Sequence, residues 1–182
     1  PETTLFVIVS KSFTTSETLQ NAATVKEWFL KRLPKEATQD HFIAVSSKPD
    51  LAVNFGICAN NVFPIWDWVG GRFSLWSAVG ISIALGLGYE NFEKLLLGAQ
   101  KADESFKNDE FDKNIPVLMA FLSVWYSNFY KSTHEAVIPY SYYLYDFVPY
   151  LQQGFMESNG KSVDRNSQKI SYNTGSVVFG GV

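Results

Sequence analysis

"TLFVIVSKSFTTSETL", residues 4–19, is the stretch on which the fold turns. Five apolar residues, 5–9, run unbroken. Seven of the next eight carry a hydroxyl or a charge: Ser10, Lys11, Ser12, Thr14, Thr15, Ser16 and Glu17. An unbroken apolar run is what a parallel strand covered on both faces requires, because neither face meets water. Thr14 and Glu17 fit an S/T-x-x-E capping box, and Leu19, Ala22, Ala23, Phe29 and Leu33 form a helical stripe that stops at Pro34. The stretch reads as strand, polar turn and helix, the first half of a βαβ unit.

The alternation continues outward from there. "HFIAVSS" (41–47) is a second strand, followed by a short segment, "KPDLAVNFG" (48–56), ending at Gly56. "NVFPIW" (61–66) is a third, which Pro64 confines to an edge or to irregular structure. In "DWVGGRFSLWSAVGISIALGLG" (67–88) a glycine-rich turn leads into an apolar helix from about Ser74. "YENFEKLLLGAQKADESF" (89–106) sets Phe92, Leu95, Leu96, Ala99, Ala102 and Phe106 at helical spacing. Strands alternating with helices predict an α/β fold with a parallel sheet.

Charge gathers in "KADESFKNDEFDKN" (101–114), the best candidate linker. Past it, residues 114–131 predict a helix with Pro116 near its first turn, and "EAVIPY" (135–140) a short strand. A helix from about Tyr142 to Ser158 should kink at Pro149. "KISYNTGSVVFGG" (169–181) reads as a hairpin or extended loop around residues 173–175.

Composition narrows the function classes. The 182 residues, 46% hydrophobic and 18% charged, suit one ordinary domain or pieces of two with a large core. A net charge of −3 without any Lys/Arg cluster argues against binding along a nucleic-acid backbone. Cys58 is the sole cysteine and His41 and His134 lie far apart, so neither a disulfide framework nor a metal site is expected. The longest apolar run, 115–126, is broken by Pro116 and Ser123 and falls short of the roughly 20 residues that a bilayer takes. With no signal peptide and no N-x-S/T sequon, a reducing, cytoplasmic setting is expected. A start at Pro1 just before a core strand, and an end in "SVVFGGV", suggest a fragment.

Three constellations carry chemistry. In open parallel sheets, ligands gather outside the carboxyl ends of strands, where a helix N-terminus offers free N–H groups and partial positive charge. "SKSFTTSE" lies at such a place; it is either a generous Ser/Thr cap or an anion site suited to a phosphomonoester, and it is not a GxxxxGK[ST] loop. In "DWVGGRFS" (67–74) two glycines permit positive φ and a close backbone approach, and Arg72 can hold a phosphate, a carboxylate or a developing oxyanion; alternatively it pairs with Asp67 in a tight turn. In "QQGFMESNGK" (152–161) Gln153 and Glu157 are four apart and share a helix face. Glu157, beside apolar Phe155 and Met156, is either a base or an ordinary surface glutamate. His134 is an acid–base candidate or a structural histidine, and Cys58 a core filler.

"DWVGGRFSLWSAVG" resembles the signature of the phosphoglucose isomerases, and "SKSFTTSET" and "QQGFMESNGK" are similar to two further motifs of that family, in its order and at about its spacing. The similarity also runs through "TVKEWFL", "NFEKLLLGAQ", "IPVLMAFLSVWY" and "VIPYSYYLYDFVPYLQQG", essentially the whole chain. The resemblance implies two SIS-type (sugar isomerase) domains, three-layer α/β/α, with the later part of the first over 1–108 and the start of the second over 109–182. It implies reversible conversion of glucose 6-phosphate to fructose 6-phosphate through a cis-enediolate, in glycolysis and gluconeogenesis, without metal or cofactor.

By the same resemblance, Ser10, Ser12, Thr14 and Thr15 would hold the phosphate, with Lys11 and Phe13 lining the site. Ser12 stands where relatives often carry threonine and keeps the hydroxyl. Glu157 matches the catalytic base, Arg72 the arginine that stabilises the enediolate, with the Gly71 backbone beside it. Gln153 matches a substrate-contacting glutamine, and Glu17 a glutamate supporting the ring-opening histidine. The family's glycine–serine loop would lie upstream of Pro1; its ring-opening histidine and late lysine would lie beyond Val182. That histidine comes from the neighbouring subunit of a homodimer, so the site is shared and this piece alone is expected to be inactive. A non-catalytic SIS module that binds a sugar phosphate is the alternative; it would have no reason to keep both Arg72 and Glu157.

Overall fold

The computed structural model describes residues 1–182, and the apolar run after Leu5 forms β1 (Phe6–Val9) in it. α1 (Ser16–Leu30) follows; a 3₁₀ turn (Lys35–Ala37) and the short α2 (Thr38–His41), neither foreseen, lead into β2 (Phe42–Ser46). The "KPDLAVNFG" segment is α3 (Pro49–Phe55), with Pro49 in the first turn, where a missing N–H costs nothing, and Gly56 closing it at φ +100. β3 (Val62–Pro64) completes a parallel sheet of order β1-β2-β3, with Phe6 opposite Phe42 and Ala44 opposite Val62. Pro64 sits on the edge strand, as its missing donor requires.

β2 is buried along its whole length, and its side chains divide between two faces. Phe42 and Ala44 join Ile8, Ala22, Phe29 and Ala52 in one cluster beneath α1 and α3. Val45 points the other way, onto Ile65, Val69 and the segment around Ala78–Ile81. Helices on one face and the 78–81 segment on the other give three layers.

α4 (Ile81–Leu87) starts later than expected. Residues 71–80 form two 3₁₀ turns, Gly71–Phe73 and Ala78–Gly80, instead of one continuous helix. The hydroxyls explain it: Ser74 Oγ donates to the Gly71 carbonyl at 2.6 Å and Ser77 Oγ to the Ser74 carbonyl at 2.6 Å, bonds that compete with a helical ladder. Gly88, at φ +85, then separates α4 from α5 (Tyr89–Asn108).

The chain divides into two compact units, Pro1–Leu95 and Leu96–Val182, with the division inside α5. Residues 101–108 of the expected linker are therefore helical. Asn114, buried, ends the segment: its Oδ1 accepts from the Val117 N–H at 3.2 Å and caps α6 (Ile115–Asn128), while its Nδ2 donates to the Phe106 carbonyl at 2.9 Å. One side chain fixes the turn between α5 and α6.

In the second unit β4 (His134–Val137) pairs in parallel with β5 (Val177–Gly180). β4 is the only strand that pairs with β5, so no hairpin forms around residues 173–175, and the segment before β5 has no regular secondary structure. The antiparallel pairing lies earlier, between Val163 and Lys169. The helix expected over 142–158 is several pieces: a 3₁₀ turn (Tyr142–Leu144), α7 (Phe147–Leu151), a π-helical turn (Gln152–Met156) and α8 (Glu157–Asn159). Pro149 falls in the first turn of α7, where its N–H would have no helical partner, and not inside a continuous helix. No helix is long and apolar enough to cross a membrane.

Candidate functional site

In the first unit the polar turn sits at the carboxyl end of β1. Its upstream half is clamped to β2. The Lys11 carbonyl accepts from Ser46 Oγ at 3.0 Å, from Ser47 Oγ at 2.9 Å and from the Ser47 N–H at 2.9 Å. Ser46 is fully buried, and its Oγ also accepts from the Lys48 N–H at 3.0 Å. Ser46 and Ser47 were not singled out from the sequence, yet the signal was there: they follow an apolar strand as Ser10 and Lys11 do.

The downstream half presents hydroxyls. Thr14 Oγ1 donates to Ser12 Oγ at 2.7 Å, the Thr14 N–H reaches the same oxygen at 3.3 Å, and Ser10 Oγ donates to Thr15 Oγ1 at 3.4 Å. Ser12, Thr14 and Thr15 are exposed, while Ser10 is buried. The capping box does not form. Thr15, not Thr14, is the N-cap of α1, and its side chain makes no cap bond. The first N–H groups of a fifteen-residue helix thus face the hydroxyl turn without a side-chain acceptor, the arrangement that favours an anion. Glu17 is exposed in the first turn of α1.

Phe13 departs from the expected lining role. Its ring is only 3% exposed and lies in the core cluster with Ile8, Ala22 and Ala52, edge-on to Phe55 with centroids 5.9 Å apart. The cause is transfer free energy: an aromatic ring within a polar loop goes inward when the core can take it.

Lys11 Nζ donates to the Asp67 carbonyl at 2.6 Å, which ties this turn to the one carrying Gly70, Gly71 and Arg72. The Asp67 carboxylate lies 3.6 Å from Lys48 Nζ. Gly70 and Gly71 do not use positive φ; Gly70 stands at φ −73 and Gly71 opens the 3₁₀ turn. A side chain at Gly71 would meet nothing within 4 Å, so the space beside that backbone is open. Arg72 is half-buried, with its guanidinium 5.8 Å from the centre of the Phe73 ring.

In the second unit, Gln153 falls in the π-helical turn and Glu157 is the first residue after it; both are exposed. A π turn shifts the phase of the residues beyond it, so the simple i, i+4 relation of an α-helix does not apply here. The turn is held from outside the helix. Gln152 Nε2 donates to the Val178 carbonyl at 3.0 Å, and the Val178 N–H reaches Met156 Sδ at 3.4 Å. Below it, Ser158 Oγ donates to the Gly154 carbonyl at 2.6 Å, and Lys161 Nζ to the Glu157 carbonyl at 2.7 Å. His134 is exposed in β4, 3.1 Å from Thr133 Oγ1 through Nδ1, and Cys58 is half-buried at the end of α3's loop.

A family model described as "Phosphoglucose isomerase" matches residues 1–182. The chain is 61% identical over 180 residues to the glucose-6-phosphate isomerase of Christiangramia forsetii, covering 99% of this chain and 33% of that protein. It is 54% identical over 181 residues to the glucose-6-phosphate isomerase of Buchnera aphidicola subsp. Schizaphis graminum, again covering 99% of this chain and 33% of the relative. Among solved structures, a glucose-6-phosphate isomerase from Chlamydia trachomatis superposes with a TM-score of 0.85 at 38% identity, over 98% of this chain and 34% of the other. A hypothetical protein from Thermus thermophilus gives 0.78 at 30% identity, over 98% and 41%. The chain spans about a third of the length of the curated relatives it matches.

Proposed function

The chain belongs to the phosphoglucose isomerase family, and from that premise we propose that it carries the proton-transfer part of an enzyme interconverting glucose 6-phosphate and fructose 6-phosphate. The observation that carries the reading is the extent of the match, residues 1–182, over a chain that holds both Arg72 and Glu157.

The chemistry follows from residue types. A C–H beside a carbonyl is a weak acid, so its removal needs a placed base and a cation where the oxyanion develops. Glu157 takes the proton from C2 and returns it to C1; Arg72, with the Gly71 backbone beside it, stabilises the cis-enediolate. Gln153 contacts the substrate. The hydroxyls of Ser10, Ser12, Thr14 and Thr15, with Lys11 and the first turn of α1, hold the phosphate, and Glu17 supports the histidine that opens the ring. No metal or cofactor takes part. The sugar-isomerase domains divide at 108/109. The working protein is a cytoplasmic homodimer whose site is shared between subunits, and this polypeptide by itself has no isomerase activity.

Replacing Glu157 by Gln in the full-length enzyme tests the reading. Exchange of the C2 proton with solvent should vanish while competitive inhibition by inorganic phosphate persists; normal turnover would sink the assignment of the base. Assaying this polypeptide beside the full-length protein tests its inactivity.

A further inference from the structure

We propose that Phe13 is a positioning residue, which sets the geometry of the phosphate turn from underneath; the inference rests on the phosphate reading above. Phe13 stands at φ 51, in the left-handed region. A side chain bearing Cβ disfavours that conformation, and it persists only where the surroundings over-determine it. Here the surroundings are identifiable. The ring is buried among Ile8, Ala22, Ala52 and Ile57 and packs edge-on to Phe55.

The residues on either side do the opposite. Ser12, Thr14 and Thr15 are exposed, so an inward ring is set within a run of outward hydroxyls. The chain turns at Phe13, where φ is 51, and does not run on as an extended strand. That turn folds the Thr14 N–H and hydroxyl back onto Ser12 Oγ, at 3.3 and 2.7 Å, and delivers the chain to the start of α1. The turn is therefore fixed twice, upstream by the three donors on the Lys11 carbonyl and downstream by the Phe13 ring.

The second anchor is itself held. Phe55 is the last residue of α3, and its carbonyl accepts from Lys26 Nζ, which also lies 4.6 Å from the centre of the Phe55 ring. Lys26 belongs to α1. The helix that begins at the phosphate turn thus secures the residue that secures Phe13.

The experiment uses the full-length enzyme and inorganic phosphate as competitive inhibitor, with kcat, KM and thermal unfolding measured alongside. Phe13→Ala should weaken phosphate by about tenfold and raise KM in step, with kcat changed far less, as expected when orientation rather than chemistry is lost. Phe13→Leu, which keeps a buried apolar anchor, should recover most of the affinity. If Phe13→Ala does not fold, Phe55→Leu serves in its place and should weaken phosphate severalfold. An unchanged inhibition constant in a folded Phe13→Ala, or in Phe55→Leu, overturns the proposal and assigns Phe13 to the core alone. If Ser12→Ala and Thr15→Ala also leave phosphate inhibition unchanged, the phosphate reading of the turn fails with it; if they weaken it while Phe13→Ala does not, only the positioning role fails.

Discussion

Lys11 reaches across 56 residues of sequence to donate its ammonium to the main-chain carbonyl of Asp67, at 2.6 Å. Since it uses a backbone acceptor, the contact depends on where the chain runs at position 67 and not on the aspartate side chain. Two of the ammonium's three donors remain for a ligand. The hydroxyl turn and the Gly-Gly-Arg turn are in this way fixed to one another within a single unit.

Removing that ammonium should weaken substrate binding more than it slows turnover. Lys11→Met in the full-length enzyme is expected to raise KM for fructose 6-phosphate by about tenfold, the scale of one charge-assisted hydrogen bond. Steady-state kinetics check it, and equal losses in kcat and kcat/KM would place Lys11 on the reacting carbons instead.

The aspartate side chain should matter little. The Asp67 carboxylate and Lys48 are both well exposed and 3.6 Å apart, so Asp67→Asn removes a surface ion pair worth about 0–1 kcal/mol and leaves the carbonyl for Lys11. Urea unfolding and KM should both stay close to the parent's.

Ser46→Ala should cost more than a surface change. Its buried hydroxyl donates to the Lys11 carbonyl and accepts from the Lys48 N–H, and the substitution removes both bonds. A loss of about 1–3 kcal/mol is expected in denaturant unfolding, with a rise in KM as the turn loosens.

Gly56 tests the joint between α1 and α3. It stands at φ +100, and an added Cβ would lie 2.6 Å from Lys26 Nζ. Gly56→Ala should destabilise by about 1–2 kcal/mol through the left-handed backbone, and Lys26→Met in the same chain should relieve only the crowding. Full rescue by Lys26→Met would show that the backbone conformation is not the source of the cost.

Lys26 also gives stability a pH dependence. Partial burial, and then the charge of Lys35, lower its pKa from the ordinary 10.5. The folded state therefore binds fewer protons than the unfolded state between the lowered value and 10.5, so stability should rise with pH across that window. The Lys26→Met variant should lose that slope in unfolding titrations.

The strand–turn–helix order and the parallel pairing of the first sheet follow from the sequence alone, and Pro64 narrows its strand to an edge or to irregular structure, because period and proline chemistry act locally. So do the residues of each turn: Ser10 to Thr15, Gly71 and Arg72, Gln153 and Glu157 are legible as residue types at a strand end or helix end. Local rules failed where a distant partner intervened. One helix over 142–158 gave way to several pieces, among them a π turn held by Val178, 26 residues beyond Gln152. Of the two readings of residues 169–181, hairpin or extended loop, the hairpin gave way because β5 pairs in parallel with β4, some forty residues back. Short-range pattern names the elements and the candidate groups. Which way a side chain turns, and which carbonyl an ammonium finds, depend on burial and hydrogen-bond partners that only the folded chain brings within reach.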